Sequence, residues 1–228
     1  MKGIFKQLIA IWKGKTFIDS VMNDFRRMMK ELYTMFEIVT ILLFQHKSIK
    51  GIEKKIYEED IFVNKSERKI RKRIVEHLAV QPGVDIGPSL VMMSIVKDAE
   101  RIGDLCKNLF EIYKMFKKFN SKNKYYKVFK KMRDQISQMI KITDSSFRKS
   151  LDDKAKYVMD EAYKIEKECD ALIEEFANSK LTANEAVCLT LLSRYFKRIA
   201  AHLSNIASAV IFPVHRIDFV TKDNKNKK

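Results

Sequence analysis

Glycine and proline are scarce in this chain, six and three in 228 residues. Both residues interrupt helices and supply turns, so their rarity suits long helices and leaves few places for the chain to reverse. Cysteine is rarer still. Cys106, Cys169 and Cys188 are odd in number, show no Cys-x-x-Cys spacing and fall within helical patterns. That excludes a disulfide frame and a zinc ribbon, and leaves buried thiols in a reducing compartment. Long hydrophobic runs are missing as well. The most apolar stretch, Ile38 to Phe44, is closed by Glu37 on one side and by Gln45-His46-Lys47 on the other. A spanning helix needs ~20 apolar residues. No small-residue cleavage site follows the basic, amphipathic start, so a signal peptide is not expected and the reading is a cytoplasmic protein.

Catalytic signatures are absent too. There is no Gly-rich phosphate loop, no His-Glu-x-x-His and no serine or cysteine in a nucleophile motif. No Glu has His three residues later, which removes the Glu-x-x-His pair of a ferritin-like di-iron oxidase. The chain is not expected to be an enzyme.

What is present is apolar periodicity. With 46% hydrophobic residues the chain as a whole is expected to fold. Ile18, Phe25, Leu32, Val39 and His46 recur seven apart, interleaved with Met22, Met29, Phe36 and Leu43. This is the seam of a long bundle helix, with methionine as core filler. Gly51 breaks it, and a second helix over 52–79 uses Ile56, Val63, Ile70, Ile74 and Leu78. Gln81-Pro82-Gly83 and Gly87-Pro88 punctuate a connection, with Ser89 expected to cap a third helix that fades near Asn120. A fourth helix is expected over 124–150, a fifth over 152–178 and a sixth from Thr182 to near Pro213. Thr182 and Glu185 form a capping box at the start of the sixth. No strand pattern competes. The expected fold is all-α: two tandem antiparallel three-helix bundles, each with its own core, parting at about residues 119–124. The domains are 17–120 and 121–219. A basic amphipathic leader (1–16) precedes them, and a disordered basic tail (220–228) follows.

The net charge of +16 asks for an anionic partner or for solvated helix faces. Lys65 to Arg73 is the densest basic run, but no turn-plus-recognition-helix pattern follows it. Nucleic acid is therefore not the expected partner.

One stretch carries more than packing. Glu100-Arg101-Ile102-Gly103-Asp104 lies between apolar residues Val91, Ile95, Ile102, Leu105, Leu109, Ile112 and Phe116, and puts Glu100 and Asp104 one turn apart with Asn108 and Glu111 on the solvent side. Two carboxylates so placed repel each other and call for a compensating cation. The pattern returns 97 positions later as Lys197-Arg198-Ile199-Ala200-Ala201, with Asn205 matching Asn108. Asp98 falls in the apolar seam, where a carboxylate needs a partner such as Arg101 or a base from a neighbouring helix. His46 and His202 also fall at seam positions and are expected to be satisfied core residues.

The repeated Glu-Arg-Ile-Gly-Asp and Lys-Arg-Ile-Ala-Ala-His segments, each with its Asn, resemble the PhoU family of phosphate-uptake regulators. The resemblance runs from about Phe17 to Phe219. It implies a regulator of phosphate uptake and phosphate signalling that binds transporter components or a sensor histidine kinase. Its place would be the cytoplasm, with peripheral contact to the inner membrane face, and a homodimer is compatible with it. It also implies acidic pairs able to bind metal: Asp60 and Asn64 with Glu100 and Asp104 in the first half, Glu166 and Asp170 in the second. Oxygen ligands of this kind suit Mg²⁺, Mn²⁺ or iron. Lys197 and Ala201 depart from the pattern and make a second metal site doubtful; an ion pair from Glu166 or Asp170 to Lys197 or Arg198 is the expected arrangement there. For Glu100 and Asp104 the alternative is pairing with Lys97, Arg101 or a base of the second helix. The rival functions are a metal-binding or metal-storage bundle and a basic protein associated with nucleic acid.

Overall fold

A computed structural model of the chain describes residues 17–45, 50–116, 119–149 and 151–217. The expected leader, the basic tail and His46 lie outside the described residues. Six long helices carry the fold: α1 (Phe17–Gln45), α2 (Ile52–Val80), α3 (Ile86–Met115), α4 (Tyr126–Lys149), α5 (Asp152–Ala177) and α6 (Ala183–Ile211), followed by a single 3₁₀ turn, Val214–Arg216. No strand occurs among the described residues, and none of these helices is long and apolar enough to cross a membrane.

The expected seams are the buried ones. Phe25, Met29, Leu32, Phe36, Val39 and Leu43 are buried in α1, and Ile56, Val63, Ile70 and Ile74 in α2. The capping box at α6 forms as expected, Thr182 accepting from the Glu185 backbone and Glu185 from the Thr182 backbone; such a cap is worth about 1 kcal/mol. The start of α3 differs from expectation. Asp85, at φ 58°, precedes a helix that already includes Gly87 and Pro88. Proline is tolerated there because a first-turn N–H has no helical acceptor. Ser89 is therefore inside the helix, fully buried, and its hydroxyl has no hydrogen-bond partner in the described structure. Asp85 instead faces His77, 3.1 Å away, and the Phe17 ring stacks on that histidine at 3.8 Å.

Helices α1 to α3 form one antiparallel bundle and α4 to α6 another. The separate cores expected from the repeat are not what forms. α1 lies antiparallel to α4, and α3 to α6, so that aromatic contacts run from one half to the other: Phe25 to Phe147, Phe36 to Phe196, Phe44 to Tyr126. One continuous apolar cluster results. This explains why Met28, Met35 and Leu42 are buried in addition to the expected stripe of α1: the second bundle covers that flank as well. The polar connection at 120–123 is anchored by buried Phe116, Phe119 and Tyr125 around it, and Asn120 and Asn123 turn the backbone by accepting from the amides of Lys122 and Tyr125.

Candidate functional site

Gly103 sets the geometry of the repeated motif. A Cβ at this position would meet Val63 Cγ1 at 3.1 Å and Leu32 Cδ2 at 3.3 Å. Glycine lets α3 approach α1 and α2 this closely without moving those methyls, and α2 and α3 bring their acidic residues into one groove. They do not stand alone there. Asn64 donates to Asp60 at 3.4 Å, and Lys107 Nζ reaches Asp60 at 3.0 Å and Asp104 at 3.5 Å. Arg101 spans Asp104 at 3.5 Å and Glu100 at 3.8 Å. Lys97 joins Glu100 at 2.9 Å to Glu67 at 3.7 Å, and Arg71 closes the row on Glu67 at 2.9 Å. The result is an alternating ladder of acids and bases along the α2–α3 seam.

Three of these carboxylates are buried: Asp60, Glu67 and Glu100. Glu100 is thus not on the solvent side, because α2 runs along that flank of α3. The compensating cations that the acidic pair calls for come from α3 itself, at i−3 and i+3. Lys97 and Arg101 belong to the expected alternative; Lys107 and Glu67 were missed. The i,i+3 spacing of Asp104 and Lys107 was the available signal. Burial alone would lower the Lys107 pKa, but its hydrogen bond and charge interaction with Asp60 leave it above the ordinary lysine value. Behind the ladder, burial and then the Asp60 charge push the Cys106 thiol up. Burial likewise pushes Cys169 up to about 12 and raises Cys188. At neutral pH all three are thiols, inert as nucleophiles.

The ladder bears directly on metal. Among the described residues no group of three or more His, Cys, Asp or Glu side chains is placed to hold an ion. As arranged, Asp60, Asn64, Glu100 and Asp104 do not converge on one point, and ammonium and guanidinium groups stand between them. The donor set does not fit a resident divalent cation without displacing those bases.

In the second half Lys197 Nζ reaches both oxygens of Asp170, at 2.6 and 2.7 Å, which is the ion pair expected there. Glu166 is half-buried on the same helix. Nearby Glu161 is buried between Lys164, 2.7 Å away, and Gln135, which donates at 2.9 Å. The Lys164 hydrogen bond outweighs burial and holds the Glu161 carboxyl below its usual range.

A model of the PhoU domain matches the chain twice, over residues 25–113 and 129–210. The chain belongs to the PhoU domain family. The two matches coincide with the two bundles, so the 97-residue repeat is a duplication of the PhoU domain. Among solved structures, PhoU from Pseudomonas aeruginosa is 22% identical with a TM-score of 0.75, covering 87% of this chain and 96% of that one. A phosphate transport system regulatory protein PhoU from Streptococcus pneumoniae is 16% identical with a TM-score of 0.74, covering 85% and 92%. At these identities the likeness is one of fold. Among curated proteins no significant sequence match is found.

The two PhoU domains are joined by polar contacts as well as by the shared core. Asp98 accepts from Asn205 at 3.0 Å and lies 2.7 Å from His202 Nδ1. The seam carboxylate of α3 therefore finds its base on α6, and His202 is a satisfied partly buried residue. On the other side Glu37 takes Arg133 and Ser137 of α4, and Arg133 Nε donates to Thr40 at 3.1 Å.

Proposed function

We propose that this protein regulates phosphate uptake and phosphate signalling by binding a component of a phosphate transporter or a sensor kinase from the cytoplasmic side. The observation that carries the reading is the match of both halves to the PhoU domain. It is supported by the name of the Streptococcus pneumoniae neighbour, a phosphate transport system regulatory protein. The chemistry of the molecule agrees with a binding role. Ion pairs line the α2–α3 seam and join the two bundles, and its thiols are buried. Such a molecule presents surfaces and transmits packing changes.

Metal, on this reading, is a competitor for the α2–α3 ladder and not a resident group. A divalent ion at Asp60, Glu100 and Asp104 would have to release Lys97, Arg101 and Lys107 from their carboxylates.

The test is genetic and biochemical. Deleting the gene should alter phosphate uptake and phosphate-starvation expression, and a tagged chain should copurify with a transporter component or a sensor kinase. Unchanged uptake and unchanged expression across phosphate levels in the deletion strain would refute the proposal.

A further inference from the structure

Helix α1 is flanked by two basic grooves, each lined by a single carboxylate, and they differ in the apolar surface beside the charges. In the α1–α2 groove Asp24 pairs with Lys69 at 2.9 Å and with Arg73 at 2.6 Å. Its carboxylate is thus already engaged by two bases, and Lys65 and Arg27, which faces both grooves, complete its basic lining. The α1–α4 groove, about 380 Å³, is lined by Arg26, Arg27, Lys30 and Lys141 against one carboxylate, Asp144. Arg27 and Lys30 are exposed, and neither has an acid within ion-pair distance among the described residues. Arg26 donates from Nη1 to Asn23 at 3.0 Å, but its Nε–H is buried without an acceptor. Lys141 is held over the Tyr33 ring, 4.7 Å from its centroid. Met29 and Ile140 supply an apolar floor.

Four bases gathered around one carboxylate carry a net positive charge, and their repulsion is relieved by a multivalent anion. Arginine forks and lysine ammoniums favour phosphate oxygens. The apolar floor favours a ligand that is more than phosphate. We propose that this groove binds a phosphorylated small molecule, its phosphates held by Arg27, Lys30 and Lys141 and its less polar part resting on Met29 and Ile140. Because α1 belongs to the first PhoU domain and α4 to the second, an occupant clamps the two domains together. The inference rests on the groove and not on the regulatory reading, and each can fail without the other.

Calorimetric titration of the full chain with ATP and with inorganic phosphate tests it. ATP should bind saturably at one site, at least about tenfold more tightly than inorganic phosphate. The triple variant Arg27→Gln/Lys30→Gln/Lys141→Gln should weaken ATP at least about tenfold, since charge-assisted hydrogen bonds are lost. All three side chains are exposed, and an unchanged helical spectrum would confirm that the variant folds. A control with the same charge change, Lys130→Gln/Lys154→Gln/Lys156→Gln on exposed positions of α4 and α5, should leave affinity within about twofold. Absence of saturable ATP binding at millimolar concentration would overturn the proposal. So would equal weakening by both triple variants, which marks mere attraction to net charge, or inorganic phosphate binding as tightly as ATP. Phosphatidylglycerol vesicles are the last arm: binding to them alone, lost in the groove variant, would assign the face to a lipid surface and refute a small-molecule site.

Discussion

The two PhoU domains share a backbone plan and differ in what fills the seam between their second and third helices. In the first, Glu100 and Asp104 are matched by Lys97, Arg101 and Lys107 in a ladder that includes buried Asp60 and Glu67. In the second, the equivalent positions are Lys197 and Ala201, and Lys197 pairs with Asp170, whose side chain is 51% exposed. The packing level differs too. Gly103 brings α3 onto Leu32 and Val63, whereas the matching residue in α6 is Ala200, fully buried. The two halves share the apolar stripes that any three-helix bundle needs and differ in the polar seam. In this seam the first domain's carboxylates Asp60, Glu67 and Glu100 are buried and must be paired, whereas Asp170 of the second is half exposed to water.

Gly103 should break the comparison most strongly. Gly103→Val pushes side-chain carbons into Val63 and Leu32, where even a Cβ comes within 3.1 Å. The expected cost is about 3 kcal/mol, the upper range for overpacking a closed core. Ala200→Gly in the second domain should cost about 1 kcal/mol, chiefly from backbone entropy and helix propensity. Urea midpoints of the two variants measure the difference. Equal losses would mean that α3 and α6 pack alike after all.

The charged seam comes next. Lys107→Gln leaves the Asp60 carboxylate, 10% exposed, without its ammonium. A charge stranded at that depth should cost about 2 kcal/mol. Lys197→Gln releases an Asp170 that water can solvate, and should cost about 0–1 kcal/mol. Salt sharpens the contrast: 1 M NaCl should blunt the second effect more than the first, because exposed pairs are screened and buried ones are not. A Lys197→Gln loss as large as that of Lys107→Gln would show that exposure is not what separates the two seams.

Much of this was legible in the residues. The seams of α1 and α2, the Thr182–Glu185 box and the near-hundred-residue repeat all rest on local spacing, and local spacing is what periodicity reports. The Asp170–Lys197 pair was legible because the substitution itself announced it. Three features were not. The shared core depends on how two bundles meet, and no spacing within one helix reveals what covers its second flank, as Met28 and Met35 illustrate. His202 and Asp98 find each other across 104 positions, a contact that only topology brings about. Glu67 and Lys107 look like ordinary surface charges one at a time; they become a ladder only when Gly103 draws α2 and α3 together.

The smallest expected effect concerns metal. In the first domain four carboxylates line one seam, but Lys107 bridges Asp60 and Asp104 at 3.0 and 3.5 Å, so a divalent ion must compete with an ammonium already in place. Affinity for Mg²⁺ or Mn²⁺ should accordingly be weak, with a Kd of about 1 mM or above, near the weak end for oxygen-ligand sites. Removing the competitor should raise it: Lys107→Gln is expected to tighten Mn²⁺ by a few-fold to about tenfold, since one unit charge near the site is removed. Adding Glu100→Gln/Asp104→Asn to that variant should abolish the gain. Lys197→Gln should do nothing comparable, because Ala201 offers no oxygen where Asp104 stands in the first domain. Calorimetry on these variants decides the matter. Tight binding to the wild-type chain would show that the ladder opens for metal, and an equal gain in Lys197→Gln would show that the two seams are not chemically different.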